Sequence, residues 1–330
     1  MEQEVILIDS TNHNQRFDRF LRKHFKTRTE VTLPDIFRGI RNRLILVNGK
    51  KSTEDYRVKH GDKVTITDKF EATGKEKKGK NPHVLPIKVE KIRDMIVYED
   101  KSWLVFDKPT GISIHPSDNE HKQRSMHDYL RAYLPKGEED STFAPAFGYR
   151  LDKETSGVLI AAKTYDSLQY INEVIRNREI NKEYMAIVVG KFPGYMCLNK
   201  SLRKSFDTRF NRGKTAICDS DDPDAKHALT EVRCEKTVNH PILGLVSLVK
   251  VHIETGRMHQ IRVHCADAGF PVLGDILYGH PRVNRVLMET MKMKRQFLHC
   301  AQYAFWDIFG DQKLILNAPL PLAFHEILGD

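Results

Sequence analysis

The chain has 330 residues, of which 40% are apolar, and this is enough for about two domains that each bury a core; its formal net charge is +9. No stretch reaches the ~18 apolar residues of a membrane span, and Met1-Glu2-Gln3-Glu4 lacks the basic start of a secretory signal. We therefore expect a soluble, cytoplasmic protein with no membrane partner.

The five cysteines are odd in number and form no Cys-x-x-Cys pair, which argues against both a zinc site and a disulfide framework. Reduced thiols are the expectation. His252, His259 and His264 are spaced unlike the ligands of a His-x-x-x-His site, and the sequence has no glycine-rich phosphate loop. We expect neither a metal nor a cofactor.

The amino-terminal quarter is strongly basic, with 19 Lys and Arg against 12 Asp and Glu in residues 1–80. Apolar residues at helical spacing predict a first helix over Gln15–Lys26. Its other face carries the basic residues Arg16, Arg19, Arg22, Lys23 and Lys26. Such a face is typical of phosphate binding, although a solvated helix surface has the same pattern.

A second helix is predicted over Leu33–Arg41, because Pro34 suits a first helical turn and apolar residues follow at helical spacing. Leu44–Val47 then has the character of a strand that enters an Asn48-Gly49 turn, and Val64–Ile66 that of a second strand. The pattern favours a compact basic module of two short helices and a small hairpin-like sheet.

Residues 71–84 are rich in Lys and Gly and contain no large apolar residue before Val84, which indicates a linker. We place a small α/β domain over 1–70, the linker over 71–90 and a larger domain over 91–330. No internal repeat is detectable.

The larger domain alternates strands with single helices. Trp103–Phe106 is expected to be its first strand, and Val158–Ala162, apolar at every position, a fully buried one. The other predicted elements are a helix over Ser167–Arg178 capped by Asp166, strands over Tyr184–Gly190 and Leu245–Glu254, and a helix over Met258–Ala268. Residues 199–228 are polar and predict a loop or hairpin without assignable chemistry. The pattern favours an α+β fold with a largely antiparallel central sheet.

A short polar segment containing Asp152 lies between the apolar residues Ala144–Phe147 and the predicted buried strand. Core elements on both sides fix the position of a side chain there, while the loop leaves it reachable, as catalysis requires. An Asp before a Thr155-Ser156-Gly157 turn is also suited to capping that turn through its backbone amides. The residues of the loop alone leave both roles open.

Longer motifs favour the catalytic role. Arg150-Leu151-Asp152 followed by Thr155-Ser156-Gly157 resembles the signature of the RluA family of pseudouridine synthases, in which this aspartate is catalytic. Further segments in the order of that family are Asp107-Lys108-Pro109-Thr110-Gly111, His115-Pro116, Lys182-Glu183-Tyr184, Thr255–His264, Gly269–Asp275, Tyr278-Gly279, Leu298-His299 and Ala318–Pro321. The resemblance spans about residues 95–321. The family usually has His at the position of Tyr149, a departure that we interpret as a difference in packing or RNA contact.

The resemblance implies a mixed, bent central sheet with flanking helices and a cleft across its centre. It implies that Arg262 pairs with the catalytic Asp152, as a carboxylate that stays ionised in a partly dry site requires. Tyr184 is expected to stack on the target base and to take part in proton transfer, and Arg150 to fill the space left by a flipped uridine. Further substrate or RNA contacts are expected at Leu151, Arg257, His259, Gln260 and Leu298.

The basic amino-terminal module resembles the small RNA-binding domain first described in ribosomal protein S-four. RNA contacts are expected from this resemblance at Arg16, Arg19, Arg22, Lys23, Arg38, Arg41, Asn48 and Lys50. Phosphate contacts of this kind depend on salt and are indifferent to base identity.

Pseudouridine formation suits a single positioned carboxylate. The bond from ribose to the uracil nitrogen breaks, the base turns, and ribose joins a ring carbon, with nothing oxidised. A carboxylate can attack ribose covalently, or it can stabilise or deprotonate ribose as a glycal forms, and the sequence leaves both routes open. We expect a monomeric RNA pseudouridine synthase, and a likeness to the RluC and RluD branch implies large-subunit ribosomal RNA as substrate.

Three alternatives remain at this point. The first is a pseudouridine synthase that acts on tRNA, and the second is a non-catalytic RNA-binding or ribosome-assembly protein that retains the fold. The intact Asp152, Tyr184 and Arg262 speak against the second. The third is a glycoside hydrolase, which needs another carboxylate ~5–9 Å from Asp152; Glu154 is the only acidic residue near it in sequence, and no motif supports that pairing.

Overall fold

The computed structural model describes residues 4–25, 28, 31–72, 89–115, 124–134, 143–208 and 212–329. The chain divides into two compact units, Met1–Val84 and Leu85–Asp330, and the division falls inside the range predicted as a linker. Most of that linker, at 73–88, lies outside the described residues, as do Lys26 of the predicted basic face and Pro116 of the His-Pro motif.

The first unit packs two helices on a three-stranded sheet. Its elements are β1 (Glu4–Leu7), α1 (Phe17–His24), α2 (Leu33–Arg41), β2 (Ile45–Val47) and β3 (Lys63–Ile66), with a 3-10 turn at Ser10–Asn12. The strand order is β1-β3-β2 with antiparallel pairing throughout. Both predicted helices and both predicted strands are therefore confirmed, and β1 is an additional strand that the sequence pattern did not predict.

Local sequence explains why these elements begin where they do. Thr32 and Asp35 form a reciprocal capping box at the start of α2, and Pro34 occupies its first turn. Asn48 and Gly49 both have positive φ angles, 51° and 73°, which is the backbone geometry that a two-residue turn after β2 requires. The amphipathic α1 buries its apolar stripe in the core of this unit.

The second unit is built from twelve strands and six helices within its described residues. Its first half contains α3 (Val89–Arg93), β4 (Ile96–Glu99), β5 (Trp103–Lys108), α4 (Met126–Tyr133), β6 (Ala146–Phe147), β7 (Ser156–Ala162), α5 (Tyr165–Asn177) and β8 (Asn181–Val189). Its second half contains β9 (Tyr195–Asn199), β10 (Ser201–Asp207), β11 (Arg212–Cys218), β12 (Leu229–His240), β13 (Gly244–Ile253), α6 (Gln260–Asp267), α7 (Pro281–Thr290), β14 (Leu298–Asp307), β15 (Gln312–Asn317) and α8 (Leu322–Leu328).

Ten of these strands form one mixed sheet in the order β4-β5-β7-β14-β8-β13-β12-β9, with β15 added to β14 and β6 to β7. The β7–β14 pair is parallel, whereas the other pairings found among the described residues are antiparallel. The predicted α+β fold with a mixed, largely antiparallel sheet is confirmed. Strand β7 lies in the middle of this sheet and is buried at every position, as its unbroken apolar run predicts.

Two local predictions need correction. Trp103–Phe106 is not the first strand of the unit, because β4 comes before it in the chain and pairs with it at the edge of the sheet. Thr164, not Asp166, caps α5, since its hydroxyl accepts the Ser167 amide while Asp166 lies in the first turn. The polar segment 199–228 was predicted to be a loop or hairpin, and this is confirmed, because β10 and β11 within it form a regular antiparallel hairpin. In the part of the chain that is described, no helix is long and apolar enough to cross a membrane.

Candidate active site

The loop between β6 and β7 carries Asp152, and the backbone of this loop is held by the strand that follows. The Thr155 amide donates to the backbone carbonyl of Asp152 at 3.1 Å. Two residues later Gly157 pairs with Cys300 on β14, and a Cβ at Gly157 would lie only 2.1 Å from the Cys300 carbonyl oxygen. This close approach fixes the end of the loop, and the Asp152 carboxylate is left to make contacts outside the turn.

The end of β5 and the turn that follows it, Asp107–Gly111, support the far side of the loop that carries Asp152. The Lys108 ammonium, which is fully buried, donates to the carbonyl oxygens of Lys153 at 2.9 Å and Pro109 at 2.8 Å. The Gly111 amide also donates to the Lys153 carbonyl, at 3.0 Å. Burial lowers the pKa of Lys108 to about 7, although the nearby carboxylates Glu154 and Asp152 oppose this shift.

The Asp152 carboxylate is bound by Arg262, which projects from α6. Nη1 of Arg262 lies 2.8 Å from Oδ2 of Asp152, whereas its Nε and Nη2 donate to the two oxygens of Asp275 at 2.6 and 3.0 Å. Burial alone would raise the pKa of Asp275, but the hydrogen bonds and charge of Arg262 outweigh burial and hold it below its usual value. One guanidinium therefore joins a buried carboxylate to the carboxylate that faces the cavity.

The turn before α6 is held by Gln260. Its side-chain oxygen accepts from the Thr255 hydroxyl at 2.7 Å and the Arg257 amide at 3.0 Å. Its amide nitrogen donates to the Leu229 carbonyl and the Thr230 hydroxyl, both at 2.9 Å. These four bonds fill the hydrogen-bonding capacity of the amide. Gln260 was expected from the sequence to contact RNA, but its side-chain amide is committed to the protein, so we assign it to positioning the turn.

His259 stands at the start of α6 in a left-handed conformation with φ of 57°. Its Nδ1 lies 2.9 Å from the Tyr278 hydroxyl, and its Nε2 lies 3.7 Å from Oδ2 of Asp152. The Tyr278 ring also packs under the guanidinium of Arg262, 5.2 Å from ring centre to Cζ. Tyr278 thus contacts both Arg262 and His259, the two side chains beside Asp152.

Three tyrosines form an aromatic wall. The ring centres of Tyr149 and Tyr303 lie 4.6 Å apart with 12° between the ring planes, so the two rings stack. Tyr184 lies close enough to both phenols to interact with them electrostatically. The Tyr149 hydroxyl donates to the Val158 carbonyl at 3.0 Å and accepts the Ile160 amide at 3.2 Å. Tyr149, the position at which the chain departs from the family pattern, thus ties the loop that carries Asp152 to β7, and it also lines the cavity. Burial raises the pKa of Tyr184 well above its ordinary value, so its phenol stays protonated at neutral pH.

These groups enclose a cavity of about 200 Å³, smaller than the ~300–1,000 Å³ of pockets for drug-sized ligands. The cavity is lined by all nine site residues predicted in the second unit, which are Arg150, Leu151, Asp152, Tyr184, Arg257, His259, Gln260, Arg262 and Leu298. Leu151, Tyr184 and Leu298 are buried, whereas Arg150 and Arg257 are exposed. The arrangement suits one small planar group, with an anion, a cation and an aromatic face around it.

Sequence reasoning missed several residues of this site. Asp275 is the most important, because it holds Arg262, and Lys108, Lys182, Tyr278 and Tyr303 also belong to the site or support it. Asp275 and Lys108 lie within motifs that the resemblance covers, so their place in those motifs was a signal. What the sequence did not show was which side chains within those motifs lie around Asp152.

The basic residues predicted to bind RNA in the first unit fall into two groups. Arg19, Arg22, Lys23, Arg41 and Lys50 have exposed side chains. Arg16 and Arg38 are exposed in part and pair with Asp18 at 3.0 Å and Asp35 at 2.9 Å. Asn48 differs, because its side chain bonds to Asp62 and to the Lys63 amide, both at 2.8 Å, and it therefore holds the turn.

The described residues contain no group of three or more His, Cys, Asp or Glu that is placed to hold a metal ion. His264, one of the three histidines considered from the sequence, lies 2.9 Å from the Thr230 hydroxyl and 3.2 Å from the Lys200 carbonyl. All five cysteines are free thiols.

Comparison with known proteins agrees with this geometry. Residues 102–267 match the family model described as RNA pseudouridylate synthase. The chain is 31% identical to ribosomal large subunit pseudouridine synthase C of Buchnera aphidicola subsp. Baizongia pistaciae, covering 97% of this chain and 95% of the relative. It is 30% identical to the protein of that name from Escherichia coli strain K12, covering 96% and 93% of the two chains.

Solved structures support the fold. Human RNA Pseudouridylate Synthase Domain Containing 4 aligns with a TM-score of 0.57 at 23% identity, covering 73% of this chain and 94% of that one. Human RNA Pseudouridylate Synthase Domain Containing 1 aligns with a TM-score of 0.56 at 23% identity, covering 72% and 86%. The family model and the near full-length relatives both identify the family. The chain belongs to the RluA family of RNA pseudouridine synthases.

Proposed function

We propose that this enzyme converts selected uridines of large-subunit ribosomal RNA to pseudouridine. The observation that carries the proposal is the Asp152 carboxylate, held 2.8 Å from Arg262 at the wall of a cavity of nucleobase size. The relatives that match nearly the whole chain are named as ribosomal large subunit enzymes, which supports this class of RNA over tRNA.

Asp152 acts on the ribose of the target nucleotide. The C1′–N1 bond breaks and its electron pair stays with uracil, which turns so that C5 can bond to C1′; the C5 proton is then lost and N1 gains a proton. A carboxylate meets the electron deficiency at C1′ by covalent attack or by removing a proton from C2′. Arg262 supports either route, because it fixes the orientation of Asp152 and balances its charge.

The target base must leave the RNA stack to reach Asp152, at a cost of a few kcal/mol. Tyr184 offers a buried aromatic face to the flipped base, and its phenol remains a proton donor at neutral pH. Arg150 is exposed beside Asp152 and is therefore placed to enter the vacated space in the RNA. His259, 3.7 Å from Asp152, adds a second polar group near the ribose.

The first unit supplies affinity for the RNA backbone. Arg19, Arg22 and Lys23 share the exposed face of α1, and Arg41 and Lys50 are exposed elsewhere in the same unit. Such side chains bind phosphates without reading sequence. The unit therefore increases binding to any RNA, and the choice of uridine belongs to the catalytic unit.

The proposal is tested with unmodified transcripts of large-subunit rRNA, small-subunit rRNA and bulk tRNA, each incubated with the full chain. Pseudouridine is mapped by chemical labelling and primer extension, with Asp152→Asn as the inactive control. We expect labelled positions in large-subunit RNA only. If pseudouridine formed only in tRNA, tRNA would be the substrate instead. If the wild-type protein formed no more pseudouridine than Asp152→Asn on any RNA, a non-catalytic RNA-binding role would be favoured.

A further inference from the structure

Lys182 is a buried lysine that lines the same cavity and has no established role. Its residue is only 7% exposed. Among the described residues, no acceptor lies within hydrogen-bonding or ion-pairing distance of its ammonium group. The group that influences it electrostatically is the Cys300 thiol, which is neutral because burial raises the pKa of that thiol well above the physiological range.

A buried ammonium without a counter-charge is unfavourable. Burial accordingly lowers the pKa of Lys182. Asp152 lines the same cavity, but its carboxylate is bound by Arg262, and no ion pair between Asp152 and Lys182 is found among the described residues. Lys108, by contrast, is fully buried but donates to two carbonyl oxygens. Lys182 is therefore poised for an acceptor that arrives with the substrate.

The position of Lys182 on β8 indicates which part of the substrate this is. Side chains two residues apart on a strand share one face, so Lys182 and Tyr184 point to the same side of the sheet. A Cβ added to Gly256 would lie 3.8 Å from the Lys182 Nζ, which places the ammonium near the turn before α6. Arg150 and Arg257 line the same cavity but are exposed, and they suit hydrated phosphates better than a buried lysine does.

We propose that the Lys182 ammonium donates a hydrogen bond to a carbonyl oxygen of the target uracil, O2 or O4, and stabilises the base as an anion when the C1′–N1 bond breaks. This inference rests on the proposed function, since it assumes a flipped uridine against Tyr184. The departing electron pair on N1 is shared with O2 and O4, so a cation at either oxygen binds the detached base more strongly than the attached one. Preferential stabilisation of the charge that develops is what lowers the barrier.

The experiment compares Lys182→Met and Lys182→Gln, which remove the charge, with wild type and with Lys191→Met as control. Lys191 is exposed and lies just after β8, outside the cavity. Three quantities are measured for each protein: the single-turnover rate of pseudouridine formation, the thermal melting temperature, and the Kd for RNA with either uridine or an abasic nucleotide at the target position.

We expect both Lys182 variants to lose about 100-fold in single-turnover rate, as for removal of one donor to a developing anion. Their melting temperature should be unchanged or higher, because an unpaired buried charge has been removed. Abasic RNA should bind them as tightly as it binds wild type, and Lys191→Met should match wild type throughout.

Several outcomes would overturn the inference. Full single-turnover rates in both variants would show that the ammonium does not act on the base. Weaker binding of abasic RNA would assign Lys182 to a phosphate, and a lower melting temperature in both variants would assign it to folding. Wild-type conversion of the same RNA is measured in parallel, so that a lack of product there counts against the proposed substrate and not against Lys182.

Discussion

Asp275 binds Arg262 through two hydrogen bonds, 2.6 Å from Nε and 3.0 Å from Nη2, and Nη1 of the same guanidinium donates to Asp152 at 2.8 Å. The Asp275 side chain is fully buried, so this pair keeps the guanidinium oriented before substrate arrives. The Asp152 carboxylate is therefore positioned, through Arg262, by a residue that is itself fully buried.

Asp275→Asn should destabilise the protein by about 3–5 kcal/mol, because it leaves the buried Arg262 without one of its two carboxylates. Urea unfolding measures this, and Asp267→Asn, which breaks the exposed pair with Lys200, should cost no more than about 1 kcal/mol. The pKa of Asp275 is lowered in the folded state, so its stabilisation is present above about pH 4 and is lost as pH falls through the lowered pKa. Equal unfolding curves for the two variants would contradict the assignment.

Asp152→Asn should reduce pseudouridine formation to background while folding and RNA affinity persist, because the amide keeps the shape of the side chain but cannot act as a nucleophile or base. Glu154→Gln is the matched change at the only nearby acidic residue in sequence, and it should retain activity. Loss of product in both variants would revive a mechanism with two carboxylates. Product is quantified by primer extension after chemical labelling.

Lys108→Met should slow catalysis by about 10–100-fold, because the ammonium's hydrogen bond to the Lys153 carbonyl, next to Asp152, is removed and the carboxylate shifts. The folded pKa of about 7 lies below the ordinary 10.5, so the unfolded chain binds more protons between these values and wild-type stability should rise with pH across that window. The rise should be smaller in Lys108→Met and unchanged in Lys191→Met. A parallel pH profile in wild type and Lys108→Met would show that Lys108 titrates normally.

Tyr149→Phe should lower stability by about 1–3 kcal/mol, because the Ile160 amide loses its acceptor inside the core. The ring still stacks on Tyr303, so the turnover number should be unchanged. Tyr165→Phe, at an exposed tyrosine, should stay within about 0.5 kcal/mol of wild type. A large fall in turnover with normal stability would instead place the Tyr149 hydroxyl in the chemistry.

Replacing Arg19, Arg22 and Lys23 by Gln should weaken RNA binding and flatten its salt dependence, by about 0.7–0.9 in the logarithmic slope for each phosphate that the protein no longer neutralises. Single-turnover rates at saturating RNA should not change. The control removes three exposed charges from the second unit, at Arg282, Arg285 and Lys292. An equal effect in the control would mean that net charge, and not the α1 face, governs affinity.

Much of the fold was predictable because its signals are local. The unbroken apolar run of β7 predicted a strand buried on both faces, and the Leu33–Arg41 pattern gave the bounds of α2. β1 was missed because its four residues are too few for a periodic signal and alternate between half-buried and exposed. The cap of α5 was misplaced by two residues, since Thr164 and Asp166 are both suitable caps and only backbone geometry separates them.

The amino-acid sequence by itself determined the family, the place of Asp152 within the family's signature motif and the basic character of α1, since motif order and helical spacing are properties of the chain. Only the tertiary structure decided which charges are paired. Arg262 and Asp152 are 110 residues apart, and they meet because α6 and the β6–β7 loop meet at one cavity. Among the described residues, the same packing satisfies Lys108 and leaves the Lys182 ammonium without an acceptor. The energy of a buried charge depends on what surrounds it in space.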